Sequence, residues 1–132
     1  MILSSPPHLV FTRCLLRRLI TLIAAVFSMA TAHAANQYGA IAFNKQTRAY
    51  GYSYNHSSQA AAEVDAVARC AGSECRSMMW FANGCGALAV GSITYGAGSG
   101  PTKAVALKQA NDRCGRDDCK ILAWTCTDRT GY

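Results

Sequence analysis

Apolar residues recur along this chain with three different spacings. Residues 19–27 form a nearly unbroken apolar run, Leu19-Ile20-Thr21-Leu22-Ile23-Ala24-Ala25-Val26-Phe27. Tyr38–Phe43 is short and apolar, and residues 49–54 alternate as a half-buried strand does. Residues 60–71 are alanine-rich, with Ala62, Ala66 and Cys70 at i, i+4 and i+8 on one helical face. Asn55-His56-Ser57-Ser58 offers N-cap groups ahead of that helix. Glu63 and Asp65 early in it and Arg69 at its end suit the helix dipole. Strands are predicted next at Arg76–Ala82 and 86–90, with Asn83-Gly84 as the turn between them. A second alanine-rich helix is predicted from near Pro101, a favoured first-turn residue, followed by a strand at Lys120–Cys126. Gly72 and Gly115 suit the two helix C-termini.

The pattern is a duplication. Shifting the chain by 44 positions superposes Ala60 on Ala104, Ala62 on Ala106, Ala66 on Ala110 and Arg69 on Arg113. Cys70 then falls on Cys114, Cys75 on Cys119 and Trp80 on Trp124. Upstream, with small shifts, Gly39-Ala40-Ile41-Ala42 resembles Gly86-Ala87-Leu88-Ala89, and Tyr50-Gly51 resembles Tyr95-Gly96. Two copies are too few for a solenoid. The expectation is a small two-layer α+β domain of pseudo-duplicated ββαβ units, about 38–85 and 86–126. Its sheet is expected to be largely antiparallel, with both helices on one face. Its core is expected from Ile41, Phe43, Val64, Val67, Met78, Trp80, Leu88, Val90, Leu107, Leu122 and Trp124.

Residues 1–34 read as a cleaved secretory signal peptide. Arg13, Arg17 and Arg18 precede the apolar run, and Ala32-His33-Ala34 gives the small-x-small cleavage pattern. The run is shorter than the roughly 20 apolar residues that span a bilayer. No stable membrane anchor is expected after cleavage, and the predicted location is exported, periplasmic or extracellular. The single domain is 35–132.

Six cysteines follow Ala34: Cys70, Cys75, Cys85, Cys114, Cys119 and Cys126. An even number in an exported chain predicts disulfides. Zinc fits less well, because the pairs are spaced by four residues and no histidine lies near them. Six cysteines allow fifteen pairings. The repeat favours Cys70–Cys75 and Cys114–Cys119, with Cys85–Cys126 joining the halves; the alternative pairs each helix cysteine with the late cysteine of its own unit.

Charge changes the picture little. Three of the thirteen basic residues and none of the seven acidic ones precede Ala35, which leaves ten against seven, a net +3. The bases are scattered, so nucleic-acid binding is not expected.

Tyr38-Gly39-Ala40-Ile41-Ala42, the alanine-rich helix ending in Cys70, Cys75 leading into a strand, and Phe81-Ala82-Asn83-Gly84-Cys85-Gly86-Ala87-Leu88-Ala89 occur together in this chain. In combination they resemble a widespread family of small secreted bacterial domains, catalogued as a domain of unknown function. The resemblance spans Tyr38 to Cys126. It implies export in a bacterium and a compact disulfide-bonded domain, and it carries no catalytic residues.

Candidate chemistry is sparse. His56 is the only histidine after Ala34. A hydrolytic triad would set it against, for example, Asp65 and a serine, but no Gly-x-Ser-x-Gly elbow is present. Asp117-Asp118 and Glu74 occupy matched loops that read as exposed turns rather than a carboxylate-lined cleft, and the aspartates do not follow the EF-hand pattern. The glycine-rich stretch from Gly91 to Gly100 precedes a helix but lacks the Lys-Ser/Thr ending of a phosphate loop. Asn55-His56-Ser57 fits a glycosylation sequon, which carries little weight in a bacterial protein. No metal or cofactor is expected. Tyr50, Tyr52 and Tyr54 share one strand face beside Arg48 and His56, and tyrosine is enriched at interfaces. The expected function is non-catalytic binding of another protein or an envelope component, inhibitor- or immunity-like. The alternatives are an envelope-polymer hydrolase using His56 or a carboxylate, and an adhesive factor for anionic wall material.

Overall fold

The computed structural model describes residues 35–128; the expected signal peptide and residues 129–132 lie outside the described residues. Eight elements follow in order: β1 (Tyr38–Phe43), β2 (Tyr50–His56), α1 (Gln59–Arg69), β3 (Arg76–Ala82), β4 (Cys85–Val90), β5 (Tyr95–Gly100), α2 (Lys103–Cys114) and β6 (Lys120–Cys126). Two ββαβ units stand side by side in the sequence. Each makes its own three-stranded antiparallel sheet, ordered β2-β1-β3 and β5-β4-β6.

The α+β class, the antiparallel pairing and the duplication agree with the sequence. The layering differs, because there are two sheets where one was expected. Alternation along the central strands explains this. Ala40 and Ala42 of β1 turn to one side and pack on Ala62, Ala66 and Cys70 of the first unit. Ala87 and Ala89 of β4 pack in the same way on Ala106, Ala110 and Cys114. The opposite faces carry Ile41, Phe43 and Leu88, which a single open sheet would leave to water. They meet each other instead, in a cluster with Phe81 and Ala123. β1 is paired on both edges, by β2 and β3, and the chain crosses at Asn83-Gly84 to start a second sheet. The order of layers is helix, sheet, sheet, helix.

Small residues set the helix–sheet distance. A Cβ on Gly51 would lie 2.2 Å from the Ala66 carbonyl oxygen, and one on Gly96 would lie 2.5 Å from that of Ala110. Such close seams leave no space for large side chains. This overturns part of the expected core: Val64 (71% exposed), Trp80, Leu122 and Trp124 all face solvent to a large extent. The large side chains go to the sheet–sheet layer, where the Tyr95 ring also tilts onto Phe43, with centroids 5.4 Å apart. Phe81, absent from the expected core, is buried there.

Local signals place the helices. The Ser58 hydroxyl accepts from the Ala61 N–H and the Thr102 hydroxyl from the Val105 N–H. Gly115 closes α2 in the left-handed region, φ 68°. The second helix therefore starts at Lys103 behind a Thr cap, two residues after Pro101.

The disulfides are Cys70–Cys75, Cys85–Cys126 and Cys114–Cys119. The first and last tie each helix end to the following strand. The second does not join the halves, because Cys85 opens β4 and so belongs to the second unit. It clips β4 to β6 at directly opposed positions. The equivalent opposed pair in the first unit is Tyr38 and Ala82, which carries no cross-link.

A candidate interaction site on strand β2

β2 is an outer strand. Gly51 and Ser53 turn inward to α1, where the Ser53 hydroxyl donates to the Ala62 carbonyl at 2.6 Å and accepts from the Ala40 N–H at 3.2 Å. Tyr50, Tyr52 and Tyr54 turn the other way and are 39%, 38% and 48% exposed. With Gly51 and Arg69 they line a shallow open hollow. Three phenols and a guanidinium form a surface with apolar area, hydroxyl donors and one cation. It has no enclosed volume for a small-molecule reaction.

His56 sits at the end of β2, with its Nε2 2.9 Å from Asp65 Oδ2. Arg69 Nε donates to the same oxygen at 2.8 Å, one helical turn on. Burial would raise the Asp65 carboxyl, but the hydrogen bonds from His56 and Arg69 and their charges outweigh it and hold the carboxyl below its usual range. Among the described hydrogen bonds of His56, no hydroxyl nucleophile appears.

Arg48 is engaged elsewhere. It has φ 66°, its N–H donates to the Asn44 carbonyl, and its guanidinium donates to the Gly91 carbonyl in the second unit. Asn55 of the sequon has φ 61° and exchanges hydrogen bonds with Asp128.

The remaining candidates resolve into structural parts. Asp118 accepts from the Ser92 N–H at 2.8 Å. Its bonds from Ser92 lower its carboxyl against slight desolvation, helped by Arg116. Asp117 and Asp118 line an open hollow with Gly115 and Arg116. No cluster of metal-ligating side chains occurs among the described residues. The glycine-rich stretch is a turn followed by β5. Two features escaped the sequence reading: Arg69 beside the tyrosines, and Lys103, whose ammonium lies 3.5 Å over the Trp124 ring. The i+4 spacing of Asp65 and Arg69 could have drawn attention to the first.

Comparison with known proteins gives a consistent family and no activity. Residues 38–126 match the model of a domain of unknown function, DUF4189. The chain is 39% identical over 95 residues to Protein Rv1269c of Mycobacterium tuberculosis and to Protein Mb1300c of Mycobacterium bovis, covering 72% of this chain and 73% of each relative. Among solved structures it is similar to the NMR structure of Rv1813c from Mycobacterium tuberculosis, with TM-score 0.55 and 30% identity over 68% of this chain and 74% of that one.

Proposed function

Since the chain belongs to the DUF4189 family, a domain of unknown function, we propose a reading drawn from its own surface: an exported, non-catalytic protein-binding module that makes contact through the tyrosine row of β2. The observation that carries it is the exposure of Tyr50, Tyr52 and Tyr54 on alternate positions of an outer strand. Tyrosine brings large contact area at low entropic cost, and a row of three is a natural centre for an interface. Three disulfides in a domain this small favour an oxidising compartment outside the cytoplasm. No described helix is long and apolar enough to cross a membrane. A rigid scaffold with an exposed aromatic strip suits an inhibitor- or immunity-like role toward another exported protein.

The test is affinity capture from envelope and secreted fractions with the oxidised domain as bait. One stoichiometric protein, lost when Tyr52 and Tyr54 are both replaced by alanine, is the expected outcome. Recovery of wall polymer alone, or capture that ignores the double substitution, would sink the reading.

One observation favours a second reading. The His56–Asp65 contact orients an imidazole as a general base requires. The same carboxylate is shared with Arg69, and the hollow beside it is open. Turnover of an envelope polymer that disappears in His56→Ala would establish the enzyme.

A further inference from the structure

The two units differ at their outer strand edges. In an antiparallel strand, alternate residues turn both backbone groups outward, away from the paired neighbour. An exposed row of such groups is a template for another strand, and proteins usually blunt it. In the second unit the edge of β5 is blunted by side chains from α2. Arg113 donates to the Ala97 carbonyl at 2.8 Å, and the Ser99 N–H donates to Gln109 Oε1 at 2.8 Å.

The duplication identifies the same positions in the first unit. Ala97 and Ser99 correspond to Tyr52 and Tyr54, and Arg113 and Gln109 correspond to Arg69 and Asp65. The change of one residue type redirects the pair. The Asp65 carboxylate could accept as Gln109 does, but it stands on a side chain one methylene shorter, and its Oδ2 is engaged by Arg69 Nε in an ion pair and by His56. Among the described residues, no side chain bonds to the Tyr52 carbonyl or the Tyr54 N–H. The edges of β3 and β6 are protected differently, since each carries a register shift in mid-strand, at Met78 and Leu122. In β2 the shift comes only after Ser53, which leaves Tyr50 to Ser53 in regular pairing with β1. From Tyr50 to Asn55 the strand carries no charged side chain and no proline.

We propose that the open edge of β2 is a docking site for an extended segment of a partner protein, which adds as a further strand alongside Tyr50–Tyr54 and presents a carboxylate to Arg69. This rests on the binding reading above and specifies its mode. Backbone ladder bonds supply affinity in such additions, and alternate side chains supply specificity. The phenols form the floor for the partner's alternate residues. Charge selects an acidic partner over a second copy of this chain. Arg69 uses only Nε on Asp65 among the described contacts, with 59% of its side chain exposed, and β2 of a second copy would bring no carboxylate to its terminal nitrogens.

Asp65→Gln is the discriminating variant, because it recreates the capped arrangement of the second unit without touching a tyrosine. The probe is a capped heptapeptide of alternating valine and threonine with a central glutamate, titrated by NMR on the oxidised domain. Binding with slowed amide exchange at Tyr52 is expected. It should weaken about tenfold or more in Asp65→Gln, and similarly when the peptide is N-methylated on its pairing edge. The reverse variant, Gln109→Asp, should gain peptide binding at β5, which keeps the idea testable if Asp65→Gln folds poorly. No peptide binding, or binding indifferent to both variants, overturns strand addition. A concentration-dependent dimer abolished by Asp65→Gln overturns the acidic partner in favour of a second copy. If captured protein is lost with the two tyrosines but retained in Asp65→Gln, the binding reading survives and strand addition falls; if neither change matters, both fall.

Discussion

The two helix–sheet seams are built from one plan with one substitution. Gly51 and Gly96 do the same work, each letting a helix backbone approach a strand at a distance no Cβ tolerates. Two residues on, the seams part. Gly98 repeats the close approach, with a Cβ position 2.3 Å from the Ala110 nitrogen. Ser53 instead fills the gap with a hydroxyl that bridges α1 to β1. Contact between a helix and a sheet can thus be made by removing atoms or by adding a hydrogen-bonding one. The second unit takes the first solution and adds a cross-strand disulfide. The first takes the second solution and leaves its outer strand exposed. The half that is tied most tightly is also the half whose edge is capped.

Breaking the disulfides gives the largest expected contrast. Replacing Cys85 and Cys126 by alanine should cost about 4 kcal/mol, and replacing Cys70 and Cys75 about 2 kcal/mol, because the closed ring is much longer in the first case (separations 41 and 5). Denaturant unfolding of the two double variants checks the order; equal losses would mean that ring length does not set the effect here. Next come the glycines. Gly51→Ala and Gly96→Ala should each destabilise by about 2–3 kcal/mol, and by similar amounts, since the backbone atoms they would strike are equivalent. A large difference between them would break the symmetry of the seams.

Much of the scaffold is readable in the chain, and the reason is that small residues are informative when they repeat. Ala62, Ala66 and Cys70 on one face, matched by Ala106, Ala110 and Cys114, could only be seams. The boundaries of β1, β3 and β6 follow from their apolar runs. The sheet–sheet layer was not readable. Trp80 and Trp124 are the largest apolar residues in the repeat, yet they sit beside seams too close to admit them. The shorter Ile41 and Leu88, on the reverse of the alanine faces, make the central layer. Which face of an amphipathic strand is buried more deeply depends on what packs there, and composition does not carry that. The tyrosine row was readable from its alternation. Its open edge was not, because it depends on Asp65 differing from Gln109, a difference that acquires meaning only once Gln109 is seen to reach the Ser99 N–H while Asp65 is held by His56 and Arg69.

Smaller effects sharpen the comparison. Ser53→Ala should cost about 1–2 kcal/mol, by leaving the buried Ala62 carbonyl and the Ala40 N–H without the hydroxyl between them. Gly98→Ser should not reproduce the serine solution and should be the more damaging change, because its Cβ meets backbone at once. Thermal melts of the two variants decide this.

The smallest expected effect is with pH. The Asp65 carboxyl is lowered in the folded state, so its contribution is present above the ordinary carboxylate pKa. It is lost as pH falls through the lowered folded value. The pH dependence of stability in the acid range should be shallower in Asp65→Asn, by an amount within the range of a surface ion pair, about 1 kcal/mol or less. An unchanged profile would show that His56 and Arg69 do not stabilise the charged form.

The clip between β4 and β6 also decides how the domain would answer to tension. Pulled from its two ends, the chain outside Cys85 and Cys126 can be drawn out strand by strand. The stretch between them is short-circuited by the covalent link. With a separation of 41 residues, on the order of 140 Å of contour is withheld from extension. In an oxidising medium a force-extension trace should therefore show the first unit yielding and the second never lengthening, until a reductant releases the missing length.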